Sequence, residues 1–356
     1  MKIPFSSSQL IAILILCRLY TILTFTAHDN SLLVCIVGTI MSVLLQLLLL
    51  IPIFLIARYI KPTDFWCTLK KNSRPFYYLS VFLLSFFFLF MATYTLSTFK
   101  DFLVITLFPR EGDNALLLLM MVSVFFSIYY GLPSLLRMSS LVSFFIAVIT
   151  VIMILFSLFD GSPYNIKPVL DSPLQRIGIQ ALYTSIRNFE LIPLFYLAPR
   201  VKKSLSSILK HYLLLTTLII CMLLFVIMFV LGDYVQFQSY PLYALTSFVN
   251  ISIIQRLDAF YAIIWITIAF IKISFYSLLC LDVLQNHLPK RISLHKLSLA
   301  LFVIIYVTVL IKEQHYNHFI NGVYYLSLSG VFLAVLVVLP IILLLYHVIS
   351  WRKSHD

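Results

Sequence analysis

The run HYLLLTTLIICMLLFVIMFVLG, from His211 to Gly232, decides the fold class, because it contains no Asp, Glu, Lys or Arg. In hydrocarbon an unpaired backbone amide or carbonyl costs several kcal/mol. An apolar run of about 18 residues or more therefore closes its hydrogen bonds internally, as a spanning helix. Working outward from this run, nine further apolar windows lie between polar loops, and the ten spans are predicted at roughly 7–28, 31–58, 76–99, 115–132, 139–159, 177–199, 211–232, 256–282, 295–312 and 327–351. The composition agrees: 62% of the 356 residues are hydrophobic and only 11% are charged, which a water-soluble domain of this size would not carry without aggregating. The first segment follows Met1-Lys2, but it is too long for a signal-peptide core. It also lacks small residues at a cleavage position, with Phe25 two before Ala27, so it is read as a helix of the mature protein.

Charge sets the orientation. With the N-terminus inside, the inside loops hold sixteen basic residues, among them Arg58, Lys61, Lys70, Lys71, Arg74, Arg200, Lys202, Lys203 and Lys210. The opposite loops hold six: Lys100, Arg110, Lys167, Arg176, Arg256 and Lys312. This bias predicts that both termini are cytoplasmic. The formal charge of +12 is then a topology signal and an attraction to anionic lipid of the bilayer, and nucleic acid is not an expected partner.

Cys17, Cys35, Cys67, Cys221 and Cys280 are scattered, four of them in apolar runs, and read as buried thiols. His315 and His318 stand at i, i+3 near Glu313, but no third ligand accompanies them, so no metal site is predicted. No glycine-rich phosphate loop, no Ser/His/Asp set and no paired carboxylates occur. Neither an enzyme nor a cofactor is expected.

The whole chain, 1–356, reads as one membrane domain. Spans one to five (about 7–159) and six to ten (about 177–351) flank the polar, proline-bearing segment Asp160 to Pro173. Five spans per half place the halves in opposite orientation. The expected fold is an all-α integral membrane protein with ten transmembrane helices in a 5+5 inverted repeat. That is the helix count of the LeuT-type, amino-acid permease fold, although the count alone also fits other ten-helix proteins.

In that fold the first helix of each repeat is interrupted near the midplane, exposing backbone to a substrate. The sixth span holds Thr184-Ser185-Ile186-Arg187-Asn188-Phe189-Glu190-Leu191-Ile192-Pro193. Pro193 has no amide hydrogen and clashes one turn back, so it is predicted to weaken the helix at Phe189. Arg187 and Glu190, deep in an apolar run, read either as functional charges or as an ion pair that fixes packing. The first span carries Arg18, Tyr20, Thr21 and Thr24 but has neither glycine nor proline from Ser7 to His28, so the sequence does not decide whether it breaks. Arg18 either snorkels, pairs with Glu190 or caps a packed interface. Lys272, far from either end of the eighth span, needs a partner or a wet cavity unless it snorkels inward. In LeuT-type folds the eighth helix meets the first at a cation site, where an ammonium group could stand in for the ion.

The block Tyr240-Pro241-Leu242, Ile254-Gln255-Arg256-Leu257-Asp258-Ala259, Trp265 and Phe270-Ile271-Lys272-Ile273-Ser274 resembles the signature of the B subunits of spore germinant receptors. These are members of the amino-acid/polyamine/organocation permease superfamily. Ser8-Gln9-Leu10, Arg18-Leu19, Phe99 to Pro109, Asn165-Ile166-Lys167-Pro168-Val169-Leu170, Glu190 and Pro199 fit in order. The chain departs from the family at Tyr20 and Phe189, where the family has glycine and where bulk now stands at a ligand's approach to the backbone.

The resemblance implies a nutrient-sensing subunit of the spore inner membrane. Its partners would be an A subunit and a C-subunit lipoprotein, and its ligand a small nutrient such as an amino acid. Candidate ligand-binding residues are Tyr20, Thr21, Thr24, Asn188, Phe189 and Glu190; candidate ion-site or conformational residues are Arg18, Arg187 and Lys272. The alternatives are an active transporter of amino acids or organic cations, and a ligand-blind structural subunit. Leu231 to Gln255, punctuated by Gly232-Asp233, Tyr240-Pro241 and Asn250, is expected to form two short amphipathic helices as a lid over the pocket.

Overall fold

A computed structural model describes residues 5–24, 32–59, 70, 74–107, 114–159, 161–166, 174–201, 204–248, 258–287, 294–314, 330, 332–338 and 341. Among these residues the regular structure is helical, apart from one isolated parallel bridge between Phe5 and Val201. Its helices are α1 (Ser7–Leu23), α2 (Leu32–Leu49), α3 (Ile51–Tyr59), α4 (Arg74–Phe102), α5 (Asn114–Phe159), α6 (Leu174–Ile186), α7 (Leu191–Leu197), α8 (Leu205–Leu231), α9 (Pro241–Phe248), α10 (Asp258–His287) and α11 (Leu294–Gln314). Five helical stretches are long and apolar enough to cross a bilayer: Leu32–Leu55, Arg74–Leu107, Asn114–Phe159, Leu205–Phe237 and Asp258–His287. Ser7–Leu23 and His295–Leu310 are shorter apolar helices.

Each predicted span that falls on described residues corresponds to helix. The second is α2 and α3, interrupted at Leu50 before Pro52, and the third is α4, prolonged by a π-turn over Leu103–Leu107. A straight helix of 46 residues would reach about 69 Å, more than twice the hydrocarbon thickness. Accordingly α5, which covers the fourth and fifth spans, breaks inside: Gly131 takes φ 80°, a left-handed value that suits glycine. Pro133 then stands in the first turn of the second half, where its missing amide goes unused. The sequence places this junction around the Arg137 loop; the structure moves it to Gly131 and continues as helix through Arg137. Of the tenth span, 327–351, only 330, 332–338 and 341 are described, including a π-turn over Ala334–Val338; the rest, like Cys67, His315 and His318, lies outside the described residues.

α10 is the centre of the bundle and packs on α4, α5 and α1, while α2 packs along α6. Its Trp265, Ile271, Phe275, Tyr276 and Leu279 are fully enclosed. α5 behaves differently, turning Phe126, Leu141, Phe144 and Phe145 outward, as an apolar helix facing lipid does. One end of the bundle gathers Phe5, Val201, Arg200, Asp282, Tyr77 and His287 through mutual contacts. The other gathers Leu23, Tyr261, Phe102, Tyr240 and the 161–166 turn, where Asn165 Nδ2 donates to the carbonyls of Phe229 and Val230.

Candidate functional site

The helix predicted over 177–199 is broken. α6 ends at Ile186 and α7 begins at Leu191, so Pro193 occupies the first turn of a new helix, where a proline is tolerated. Across the junction the amides bond three residues back rather than four: Asn188 to Ser185 at 3.3 Å, Leu191 to Asn188 at 3.2 Å and Ile192 to Phe189 at 3.3 Å. The last carbonyls of α6 are thereby left over. Arg18 takes them, Nη1 donating to Arg187 O at 2.7 Å and Nη2 reaching Thr184 O at 3.5 Å. A guanidinium at a helix C-terminus also meets the negative end of the helix dipole. Arg18 thus caps a packed interface, and it faces Glu190 as well.

Glu190 opens α7 with its side chain wholly buried. Its Oε1 accepts from Lys272 Nζ at 3.0 Å, and its Oε2 faces Arg18 Nη1 at 4.0 Å. Lys272 also donates to the Cys17 carbonyl of α1 at 2.8 Å, and its ammonium lies 5.2 Å from the centre of the Tyr20 ring. α1, the α6–α7 junction and α10 therefore meet at three charges sealed from solvent. An isolated charge would not persist at such a place; here each has a partner of opposite sign or a carbonyl.

Asn188, in the unwound stretch, carries a second network. Its Nδ2 donates to Gln46 Oε1 of α2 at 2.8 Å, and its Oδ1 accepts from Tyr212 Oη of α8 at 2.6 Å. Gln46 continues to Ser42 Oγ at 3.2 Å, and Ser185 Oγ donates to the Ser42 carbonyl at 3.1 Å and to the Ala181 carbonyl at 2.7 Å.

An aromatic column leads from the surface to the charges. Tyr240, just before α9, and Tyr243, on it, set their rings 5.2 and 5.9 Å from Phe102. Phe102 stacks on Trp265 at 4.0 Å, and Trp265 lies 5.1 Å from Tyr20, above Lys272. Of the expected lid, the described part comprises a 3-10 turn, Gly232–Phe237, and the helix α9; 249–255 lies outside the described residues.

The remaining candidates separate into two groups. Tyr20 is buried and spends its hydroxyl on Thr98 Oγ1 at 2.7 Å and the Thr95 carbonyl at 3.1 Å. Phe189 wedges between Phe87 at 6.2 Å and Phe332 at 5.6 Å. Thr24 donates back to the Tyr20 and Thr21 carbonyls of its own helix, and Arg187 donates to Tyr183 Oη at 2.9 Å while stacking on that ring. α1 runs unbroken from Ser7 to Leu23. Sequence reasoning missed Gln46 and Tyr212 as partners of the break. An amide in an otherwise apolar run was a usable signal for the first; a tyrosine among 21 carried none for the second.

Five membrane-length apolar helices in a bundle that is helical among the described residues mark a multi-pass membrane protein. The chain belongs to the spore germination protein family, whose spore-permease model matches residues 33–318. The match includes the break, Glu190, α9 and Lys272, and begins after α1 with its Arg18 and Tyr20. A search of the curated proteins found no match.

Proposed function

We propose that this chain is the nutrient-sensing B-type subunit of a spore germinant receptor, built on the ten-span inverted-repeat permease frame. Both termini face the cytoplasm, and it works beside an A subunit and a C-subunit lipoprotein in the spore inner membrane. The observation that carries the reading is the contact of Lys272 with both Glu190 and the Cys17 carbonyl. A tethered ammonium ties the eighth span to the first and to the broken sixth, where a permease of this type places substrate and coupling ion. A small nutrient such as an amino acid, by competing for Glu190 or Lys272, would favour the arrangement in which the pair is parted; differential affinity for the two arrangements is the signal. α9 and its aromatic column form the lid on this path.

Glu190→Gln keeps the shape and removes the charge, and Lys272→Met keeps the length and removes the ammonium. Both are expected to shift or abolish the germination dose–response at normal subunit abundance. Breaking a buried pair costs about 3–5 kcal/mol, so abundance is measured alongside the response. A normal dose–response in both variants at normal abundance refutes the reading. A second reading, a ligand-blind structural subunit, is favoured by Tyr20 and Phe189, whose buried rings fill the two positions that are glycine in the family. It predicts Tyr20→Gly and Phe189→Gly variants that gain nutrient binding the parent lacks. Transport is separated from both by uptake of labelled amino acid into proteoliposomes.

A further inference from the structure

Glu190 and Arg200 bound one short segment of the sixth span, and Lys272 and Asp282 bound one stretch of α10, with a separation of ten residues in each case. Glu190 meets Lys272 at 3.0 Å, and Arg200 meets Asp282 in an ion pair. The two segments therefore run in the same direction and are strapped at both ends. Ten residues of α10 rise about 15 Å, while seven α-helical and three 3-10 residues rise about 16–17 Å, so the straps are in register. Their polarity is reversed: α7 gives the carboxylate at one end and the guanidinium at the other. Any slip along α10 that brings Glu190 toward Asp282, or Arg200 toward Lys272, sets like charges together.

Rings from α4 lie against both segments. Phe88 lies 5.8 Å from Tyr196 and 6.1 Å from Tyr276, and Phe87 lies 6.2 Å from Phe189 and 6.4 Å from Tyr276. The strap farther from the buried charges is composite. Tyr196 Oη donates to Asp282 Oδ2 at 2.6 Å, the Arg200 guanidinium lies over the Tyr196 ring at 5.1 Å, and Asn286 donates to the Asp282 carbonyl. Immediately beyond it, Val201 bridges to Phe5, ahead of α1. The Arg200 and Asp282 side chains are 13% and 25% exposed, against 3% and 0% for Lys272 and Glu190, so this strap is partly exposed and the other is sealed.

We infer that residues 190–200 act as a lever linking the buried charge cluster to the Phe5 end of the bundle, with Arg200, Tyr196 and Asp282 as its latch. α7 has only two turns, and Pro199 fixes the backbone at its far end, so the segment is too short and too stiff to yield at one strap without loading the other. Parting Glu190 from Lys272 loosens the latch, and loosening the latch weakens the hold on Glu190. The inference rests on the proposed function only in that a ligand is what parts the buried pair.

The test places Leu197→Cys, a fully buried position of α7, in a chain whose native cysteines are replaced, and measures its labelling rate by a membrane-permeant maleimide in native membranes. Asp282→Asn and Lys272→Met are each expected to raise that rate about ten-fold, because either loosened strap increases the open population. Exchanging the charges, Arg200→Asp with Asp282→Arg, is expected to return the rate toward that of the parent, while each single change stays fast. Should Lys272→Met fail to accumulate, Glu190→Gln tests the same strap with its shape preserved. A parental rate at Leu197→Cys in the variant of the buried strap, with Asp282→Asn fast, overturns the lever and leaves a local latch. An exchange variant as fast as the single changes overturns the latch. Coupled labelling with an unaltered germination response refutes the sensing role while the lever stands; an altered response without coupling does the reverse.

Discussion

Asn188 holds the unwound stretch in place by binding two helices at once: Gln46 of α2 through its amide nitrogen and Tyr212 of α8 through its carbonyl oxygen. Replacing it with leucine strands an amide oxygen and a phenol in a dry interior. Hydrogen bonds between helices in membranes average about 0.6 kcal/mol, but stranding a buried partner costs about 1–3 kcal/mol, so the second figure governs. Asn188→Leu is expected to lower stability by about 1–2 kcal/mol in thermal unfolding in detergent. Adding Gln46→Leu is expected to cost less than the sum of the two single changes, since the second change removes a group that the first left unpaired. Strict additivity would show that the amides do not act together. At this scale the charges were legible, because an Arg, Glu or Lys inside an apolar run is expensive and therefore conspicuous. Their partners were less so: Arg18 spends its guanidinium on the Arg187 and Thr184 carbonyls, and Lys272 half of its ammonium on the Cys17 carbonyl, and every residue has a carbonyl.

Among the elements, α2 and α6 show how glycine divides into positions that matter and positions that do not. A Cβ at Gly38 would stand 2.7 Å from Gln180 Cγ and 3.3 Å from the Ala181 amide nitrogen, so this glycine sets the separation of α2 from the first half of the broken span. Gly178, on the exposed side of α6, would meet nothing within 4 Å. Gly38→Ala is accordingly expected to destabilise by about 1–3 kcal/mol through overpacking. Gly178→Ala is expected to stabilise by up to about 1 kcal/mol, through helix propensity and a less flexible unfolded chain. Both are read as shifts of the thermal midpoint, and equal effects would show that the α2–α6 contact does not depend on Gly38. The break between α6 and α7 was legible because Pro193 removes a backbone hydrogen bond and clashes one turn back, weakening the helix at Phe189. The break in α5 was misplaced by several residues. The sequence offered Arg137 as a polar loop, whereas the backbone turned at Gly131, the residue able to adopt a left-handed φ, and a lone arginine proved compatible with a helix.

For the molecule as a whole, contacts gather the described loops and helix ends into two groups, one at each end of the bundle. Phe5, Arg200 and Asp282 share one end; Leu23, Tyr240 and the 161–166 turn share the other. Contacts of this kind fix which loops lie together but not which end faces the cytoplasm, because no bilayer asymmetry acts on side-chain packing. The orientation rests on the sixteen basic residues against six, a preference imposed during insertion and readable only in sequence. The sequence offered Arg18 as a partner of Glu190 and, through the resemblance, Lys272 beside α1, but not the Glu190–Lys272 contact itself, which joins residues 82 positions apart. Single cysteines in a chain lacking the native ones test the orientation directly. In the proposed orientation Tyr164, 94% exposed, and Phe237, 80% exposed before α9, would lie at the extracytoplasmic end, and Lys210, exposed near the start of α8, at the cytoplasmic end. An impermeant maleimide applied to intact cells is expected to label Tyr164→Cys and Phe237→Cys, and to label Lys210→Cys only after permeabilisation. The reverse pattern would invert the molecule, placing α9 and its aromatic column on the cytoplasmic side and removing the path by which an external nutrient could reach Glu190 and Lys272.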